Sequence, residues 1–412
     1  MGSQTFRSEE LDNGITLIGE QMEAVSSAAF SVLVPVGAAT DPIGKEGAAT
    51  LLCEMLHKGA GPWDSRGLSE QFEQIGIQRS QSAGIEVSVF SGALLPQNLQ
   101  RAIELYGIFL LEPTLPAGEL DSVRQLALQD LRALEDEPGS KVVSELAKDF
   151  YPFPFGRCEY GTEAGINNLG IIDLSEYFQR EFVANPVVIG VAGKFDWDEI
   201  RLHLKKSLGH WSGKKERIPV ASLARESKAR HLQRDTSQVQ IALAFPSVSI
   251  GHAEYYTARV VVGILSGGMA GRLFIEVREK RGLVYRVSAS HSAARDRAAI
   301  FVAAGTTPDH ADECLFVMLQ VVRTVHEGIT DDELKRAKAD LKSRLIMQSE
   351  LSSVRASALV NDWWNLGRLR TLDEIKAGID AVSIGDIQRF MEQHPVSPIT
   401  MVTLGPKEIK LQ

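Results

Sequence analysis

Three side chains near residue 55 have types and a spacing that could bind a metal ion. Cys53 and His57 lie four residues apart in a predicted helix, and Glu54 lies beside Cys53. Residues at i and i+4 share one helix face, so a thiolate, an imidazole and a carboxylate would lie together there. The alternative is that Cys53 is a small buried apolar residue and that His57 packs or caps near Gly59. The residue types favour this alternative.

The element that must position these side chains is a helix predicted over Gly47–Lys58, with Gly59 as its stop signal. Two predicted strands precede it, at Leu17–Met22 and Ala28–Val36. The second strand is almost continuously apolar, which predicts burial on both of its faces. The apolar face of the helix is formed by Leu51, Leu52, Met55 and Leu56.

The order strand, helix, helix, strand, strand, helix, helix is predicted approximately twice along the chain. The pattern predicts two homologous domains, at 1–211 and 231–412, joined by a charged linker at 212–230. Each domain is predicted to be α+β, a mainly antiparallel sheet with helices packed on one face. In the second domain the predicted strands are Val239–Phe245, Val284–Ser290, Ala299–Ala304 and Thr400–Leu404, and the predicted helices are Ala253–Leu265, Arg272–Lys280, Ala311–Glu327 and Asp331–Ile346.

Composition excludes several classes of protein. The net charge is −9, and no long Lys/Arg block is present, so a dedicated nucleic-acid binder is not expected. The three cysteines are far apart and odd in number, which indicates a reducing compartment without a disulfide framework. No leader pattern and no apolar run long enough for a membrane span is present. We therefore expect a soluble, cytoplasmic protein that binds neither membranes nor nucleic acid.

Two segments resemble the M16 (pitrilysin or insulinase) peptidase family, in its short two-domain branch. Glu46–Ala60 resembles the zinc helix of that family, in which an inverted HxxEH lies between a Gly-x-Ala start and a Met-Leu-Phe-Lys-Gly-Thr ending. Gly267–Tyr285 is similar to the family's second-half signature almost without gaps. Glu135–Pro138 and Ala192–Asp196 also fit the family pattern. The resemblance implies two halves with a LuxS/metallohydrolase-like fold.

The resemblance also implies where zinc chemistry would lie, and the residues there are wrong for it. The two ligand histidines fall on Thr50 and Glu54, the general base falls on Cys53, and the third ligand falls at about Asp130. A Thr hydroxyl is a poor zinc ligand, a Cys cannot replace the carboxylate base, and two carboxylates alone hold zinc weakly. We therefore expect no metal or other cofactor in this chain. The alternative for Asp130 is an ordinary surface residue of a charged helix.

The second-half signature keeps Arg278 and Tyr285. From spacing alone, Arg278 is one of several basic residues on a solvated turn that Gly282 permits, and Tyr285 is a core residue. The resemblance instead implies that the pair holds the substrate backbone and steadies the oxyanion, because Arg and Tyr donate hydrogen bonds to such oxygens. The glycines at 267, 268 and 271 do not form a phosphate loop, since no Lys-Ser/Thr follows at Walker spacing.

A lost zinc helix together with a retained Arg/Tyr pair resembles one subunit of the family's split peptidases. The leading hypothesis is a non-catalytic, substrate-holding subunit of a heterodimeric zinc peptidase that acts on peptides. The partner would be a homologous subunit with an intact HxxEH, which would supply the zinc. One alternative is a structural or peptide-binding homodimer without a catalytic role. Another alternative is a peptidase with a reorganised metal site.

Overall fold

A computed structural model of the chain describes residues 4–221 and 226–411. Its strands are β1 (Phe6–Glu10), β2 (Thr16–Gln21), β3 (Ala28–Val34), β4 (Gly59–Ala60), β5 (Trp63–Asp64), β6 (Gln78–Ala83), β7 (Ser88–Leu94), β8 (Val188–Gly193), β9 (Lys228–Gln233), β10 (Val239–Pro246), β11 (Val284–Ala293), β12 (Ala298–Thr306) and β13 (Thr400–Gly405).

The α-helices lie between these strands along the chain, singly or in consecutive runs, and a π-helix, Phe274–Glu279, precedes β11. The α-helices are α1 (Ala48–Leu56), α2 (Ser65–Gln74), α3 (Leu99–Leu111), α4 (Leu120–Asp136), α5 (Pro138–Phe150), α6 (Glu163–Asn168), α7 (Ile171–Glu181), α8 (Trp197–Leu208), α9 (Tyr255–Ser266), α10 (Ala311–Arg323), α11 (Asp331–Ser349), α12 (Ser352–Leu366), α13 (Leu372–Ala381) and α14 (Ile384–Gln393). No helix within the described ranges has the length and apolar composition that a membrane span requires.

The chain forms two compact units, and each contains a segment from a distant part of the sequence. Unit 1 comprises the described residues of Met1–Ala133, Phe153–Pro219 and Met347–Leu369. Unit 2 comprises the described residues of Leu134–Pro152, Val220–Ile346 and Arg370–Gln412. Consequently α12 belongs to unit 1 and α5 belongs to unit 2, although each lies in the other half of the sequence.

Unit 1 is built on a six-stranded sheet in the order β1-β2-β8-β3-β7-β6. Only β2 and β8 are parallel. All seven residues of β3 are buried, as its apolar sequence predicts. One sheet face packs against a large core that includes α1, α3 and α8. The other face is covered by α12, which buries Ala356, Leu359, Val360 and Trp364 against it.

Unit 2 repeats this plan on a five-stranded sheet in the order β11-β12-β10-β13-β9. Only β13 and β9 are parallel. One face packs against α9 and α10, and α5 covers the other face with Val142, Leu146 and Phe150. The edge strand β11 has a register shift between Val284 and Arg286, which is a bulge at Tyr285.

The predicted α+β class with two sheet-containing halves is confirmed. Each sheet also carries one helix on its second face, because strands as apolar as β3 must be covered on both sides. The sequence patterns did not identify these covering helices, nor α6, α7, α13, α14 and the edge strand β9.

Candidate functional site

A buried carboxylate fixes the start of α1, the helix that carries Thr50, Cys53 and Glu54. Asp41 is 5 % exposed and accepts hydrogen bonds from the backbone N–H groups of Gly47, at 2.6 Å, and Ala49, at 2.9 Å. The Tyr177 hydroxyl donates to the same carboxylate at 3.3 Å. These bonds satisfy N–H groups that an α-helix leaves without partners at its first turn. Burial is the main cause that raises the pKa of Asp41 to about 6, against the opposing effect of these donors.

This raised pKa predicts a specific pH dependence of stability. Because the folded-state pKa lies above the ordinary value of 3.8, the contribution of Asp41 is fully present below about pH 4 and is lost as the pH rises through about 6. The loss corresponds to about 3 kcal/mol. Asp41→Asn should remove this slope. Urea unfolding at pH 4 to 7 tests it: the stability difference between wild type and variant should change by about 2–3 kcal/mol, and parallel curves would contradict the assignment.

The polar groups of Thr50, at the first ligand position, and of Cys53, at the position of the general base, form hydrogen bonds within unit 1. The Thr50 hydroxyl donates to the carbonyl oxygen of Glu159 at 2.7 Å. Cys53 is 3 % exposed, and its thiol donates to Ser88 Oγ at 3.3 Å. Ser88 in turn donates to the carbonyl oxygen of Val36 at 2.7 Å. Burial raises the pKa of the Cys53 thiol to about 12, so the thiol stays protonated at neutral pH.

The next turn of α1 is also tied to its neighbours. The Gln81 side-chain amide donates to Glu54 Oε1 at 2.9 Å. His57 packs on Phe109, with 4.8 Å between ring centroids, and its Nδ1 accepts from Arg79 at 3.3 Å. Burial, assisted by the charge of Arg79, lowers the pKa of His57 to about 4. His57 is therefore neutral and packed, as the alternative reading of its position expects.

The four positions do not form a set of ligands that fits zinc. Asp130 is exposed on α4. Burial, assisted by the negative charge of Asp130, raises the pKa of the Tyr160 hydroxyl. Across residues 4–221 and 226–411 there is no group of three or more His, Cys, Asp or Glu side chains placed to hold a metal ion. The Thr50 hydroxyl is directed at a carbonyl and the Cys53 thiol is buried against Ser88, so only the carboxylates of Glu54 and Asp130 remain as possible donors.

Thiol reactivity tests this description of α1. Cys53 and Cys314 are buried with pKa values raised to about 12 by burial, whereas Cys158 is only half-buried. Only a fraction on the order of 10⁻⁵ of a thiol with such a pKa is ionised at pH 7, and the thiolate is the reactive form. In native protein, an aromatic disulfide reagent should therefore modify Cys158 at least about 10³-fold faster than the other two. Rapid modification of Cys53 would contradict this description, because it would show that Cys53 is an accessible thiolate that could bind a metal ion.

The structure brings Arg278 and Tyr285 together in unit 2. The guanidinium carbon of Arg278 lies 4.8 Å from the centroid of the Tyr285 ring and 4.8 Å from that of Phe274. Tyr285 is 80 % exposed, so the spacing-based assignment of this residue to the core is wrong. No described residue forms a hydrogen bond or ion pair with either polar group, and both are available to a ligand.

Two backbone irregularities place this pair. Arg278 lies in the π-helix Phe274–Glu279, in which Lys280 N–H donates to the carbonyl of Ile275 five residues earlier. Tyr285 lies at the bulge that begins β11. Between them Gly282 has a φ of +64°, a conformation that favours glycine. Both kinds of irregularity are frequent at functional sites, where they change the direction of a side chain.

Sequence reasoning did not find Asp41, Ser88 or Phe274. Asp41 caps α1 from six residues before Gly47, outside the spacing of any local capping rule. Ser88 begins a strand and looks like an ordinary alternating residue. Phe274 has a detectable signal, because it lies four residues before Arg278 on the predicted helix Arg272–Lys280, where side chains at i and i+4 are neighbours.

Two family models match the chain. The model described as "Insulinase (Peptidase family M16)" matches residues 3–157, and "Peptidase M16 inactive domain" matches residues 170–341. An uncharacterized zinc protease of Bacillus subtilis is 24 % identical and aligns with 96 % of this chain and 97 % of its own length. An uncharacterized zinc protease of Rickettsia bellii is 23 % identical, covering 98 % and 99 %.

Solved structures show the same fold. The peptidase M16 inactive domain protein from Pseudomonas fluorescens has a TM-score of 0.89 at 21 % identity, covering 99 % of this chain and 100 % of that one. A chain of Complex III2 from Candida albicans has a TM-score of 0.83 at 19 % identity, covering 98 % and 97 %. With both domain models matched in order and both sheets in place, the chain belongs to the two-domain branch of the M16 peptidase family.

Proposed function

We propose that this chain is the non-catalytic, substrate-holding subunit of a heterodimeric M16-type zinc peptidase that acts on peptides. A homologous partner with an intact HxxEH supplies the zinc, the ligands and the general base. This chain supplies Arg278 and Tyr285, which hold the peptide, and the Tyr285 hydroxyl donates to the oxyanion.

The proposal is supported by the difference between the hydrogen bonding of Thr50 and Cys53 and that of Arg278 and Tyr285. Around Thr50 and Cys53, each polar hydrogen is donated to another group of unit 1, and the thiol is buried. Around Arg278 and Tyr285, the donors have no partner among the described residues, although two irregular backbone segments hold the side chains side by side. A site that lost its chemistry through general decay would not be expected to keep one half organised and open.

Purification from the native host tests the proposal. A tag on the chromosomal copy of this chain should recover a second M16 chain that carries HxxEH, with about one zinc per heterodimer and metal-dependent peptide hydrolysis. Recovery of this chain alone, together with no gain of peptidase activity on adding zinc-bearing M16 homologues from the host, would contradict it.

Metal analysis of the isolated chain tests the alternative of a reorganised metal site. The purified chain should contain well under one zinc per molecule, and Cys53→Ala should not change this value, because the thiol is protonated and engaged with Ser88. Stoichiometric zinc that is lost in Cys53→Ala would establish the reorganised site instead.

A structural or peptide-binding homodimer is the second candidate. The observation in its favour is the similarity to a chain of Complex III2, a protein that is part of an assembly. The two candidates differ in what they require of Arg278. A purely structural role predicts that Arg278→Ala leaves the function of the assembly unchanged, whereas a substrate-holding role predicts a large loss.

A further inference from the structure

We infer that the Arg278 site selects a carboxylate on the peptide, either an acidic side chain or a free C-terminus, and not merely a neutral backbone carbonyl. The inference rests on the proposed function, because it names the class of peptide that the open Arg/Tyr pair holds.

Arg278 contacts two aromatic rings. Its guanidinium carbon lies over the rings of both Phe274 and Tyr285, at 4.8 Å from each centroid. Rings bind a guanidinium through its flat faces. Its N–H donors lie at the edge of the plane, where they remain available for hydrogen bonds. When the rings contact the faces of a guanidinium, the N–H groups at its edge can donate two parallel hydrogen bonds. This arrangement matches the two oxygens of a planar carboxylate.

The segment around Arg278 is rich in basic side chains. Residues 272–286 contain five basic and two acidic side chains, in a chain whose net charge is −9. Three of the basic side chains are already paired with glutamates inside unit 2: Arg272 with Glu333, and Lys280 and Arg281 with Glu276.

The two unpaired cations of this segment are Arg278 and Arg286. Neither forms a hydrogen bond or ion pair with any residue in the described part of the chain. Arg286 is exposed and also has no ring contact there. Glu279 is the other acidic side chain of the segment, and it is exposed and also unpaired in the described part of the chain. Two unpaired arginines against one unpaired glutamate still leave a net positive charge near Arg278, which favours an anionic ligand.

A carboxylate uses this arrangement better than a carbonyl does. Hydrogen bonds between two ionised groups are about twice as strong as neutral ones, and a carboxylate accepts two parallel bonds from a guanidinium. A lysine at the same position keeps the charge but loses the planar fork and the ring stacking. We therefore assign Phe274 as a positioning residue, because its ring lies against the guanidinium of Arg278.

Peptide binding to the full chain tests the inference. Three fluorescein-labelled ten-residue peptides of Ala, Ser and Gln are compared by fluorescence anisotropy: one with a central Glu and an amidated C-terminus, one with Gln in its place, and the Gln peptide with a free C-terminal carboxylate. At least one carboxylate peptide should bind about 10-fold or more tightly than the amidated Gln peptide, and which of the two does so identifies the source of the carboxylate.

Matched variants separate geometry from charge. Arg278→Lys keeps the charge but loses the paired donors and the ring stacking, so it should lower the preference several-fold. Arg286→Lys, the same exchange at an exposed arginine without ring contacts, should keep the full preference. Phe274→Leu should reduce the preference while an unchanged thermal unfolding midpoint shows that the fold is intact. Equal binding of all three peptides that still requires Arg278 would overturn the carboxylate inference and leave the proposed function standing. Absence of binding by every peptide would overturn both.

Discussion

Arg278→Ala is expected to lower the kcat/KM of the proposed heterodimer about 100-fold, since it removes charge-assisted hydrogen bonds worth about 3 kcal/mol. Most of this loss should fall on KM, because a group that holds the peptide contributes equally to the ground state and the transition state. Tyr285→Phe keeps the ring beside Arg278 and removes only the hydroxyl. If that hydroxyl donates to the oxyanion, its removal should instead lower kcat, by about 10²-fold or more.

Steady-state kinetics with a fluorogenic peptide measures both effects. Arg286→Ala is the matched control, because Arg286 is an exposed arginine next to Tyr285 that contacts neither ring. It should change kcat/KM only a few-fold, and only at low salt. Equal effects of Arg278→Ala and Arg286→Ala would show that the pair has no specific role.

The second large effect concerns the buried ion pair that joins α12 to the sheet of unit 1. Arg355 donates to Glu20 Oε2 through Nε at 2.8 Å and Nη2 at 2.6 Å, and the side chains are 6 % and 5 % exposed. Gln4 donates to the other carboxylate oxygen at 2.6 Å. Arg355→Ala leaves the carboxylate buried without its counter-charge, and should lower the free energy of unfolding by about 3–5 kcal/mol.

A double variant distinguishes this explanation from a simple loss of packing. Glu20→Leu together with Arg355→Met replaces both charges with apolar groups, and should restore most of the stability that Arg355→Ala removes. Urea unfolding followed by tryptophan fluorescence is a suitable measurement, since Trp364 is buried on the same helix. A double variant that is as unstable as Arg355→Ala would mean that the ion pair itself is a net source of stability.

The sequence closely predicted the helix that carries Thr50, Cys53 and Glu54. Its apolar face and flanking glycines predict Gly47–Lys58, and α1 spans Ala48–Leu56. The continuous apolar run of β3 also predicts that something covers its second face. The sequence does not identify α12 as the cover, because an amphipathic pattern shows that a helix is buried without showing which sheet it contacts.

The candidate substrate site was harder to predict in its details. The family signature predicts a substrate-holding role for Arg278 and Tyr285, whereas spacing alone placed Tyr285 in the core. Apolar periodicity does not distinguish a π-helix from an α-helix over two turns, and it does not mark a bulge. These two irregularities direct Tyr285 outward, to 80 % exposure, and place Arg278 against it.

In the proposed function, this chain completes a peptide site whose zinc another chain holds. The most direct test is to mix the purified chain with its zinc-bearing M16 partner and follow hydrolysis of a fluorogenic peptide. We predict little hydrolysis by either chain alone, a large gain at a 1:1 ratio that a chelator abolishes, and little gain when the added chain carries Arg278→Ala. A partner that is fully active alone, or an Arg278→Ala chain that restores full activity, would contradict the claim.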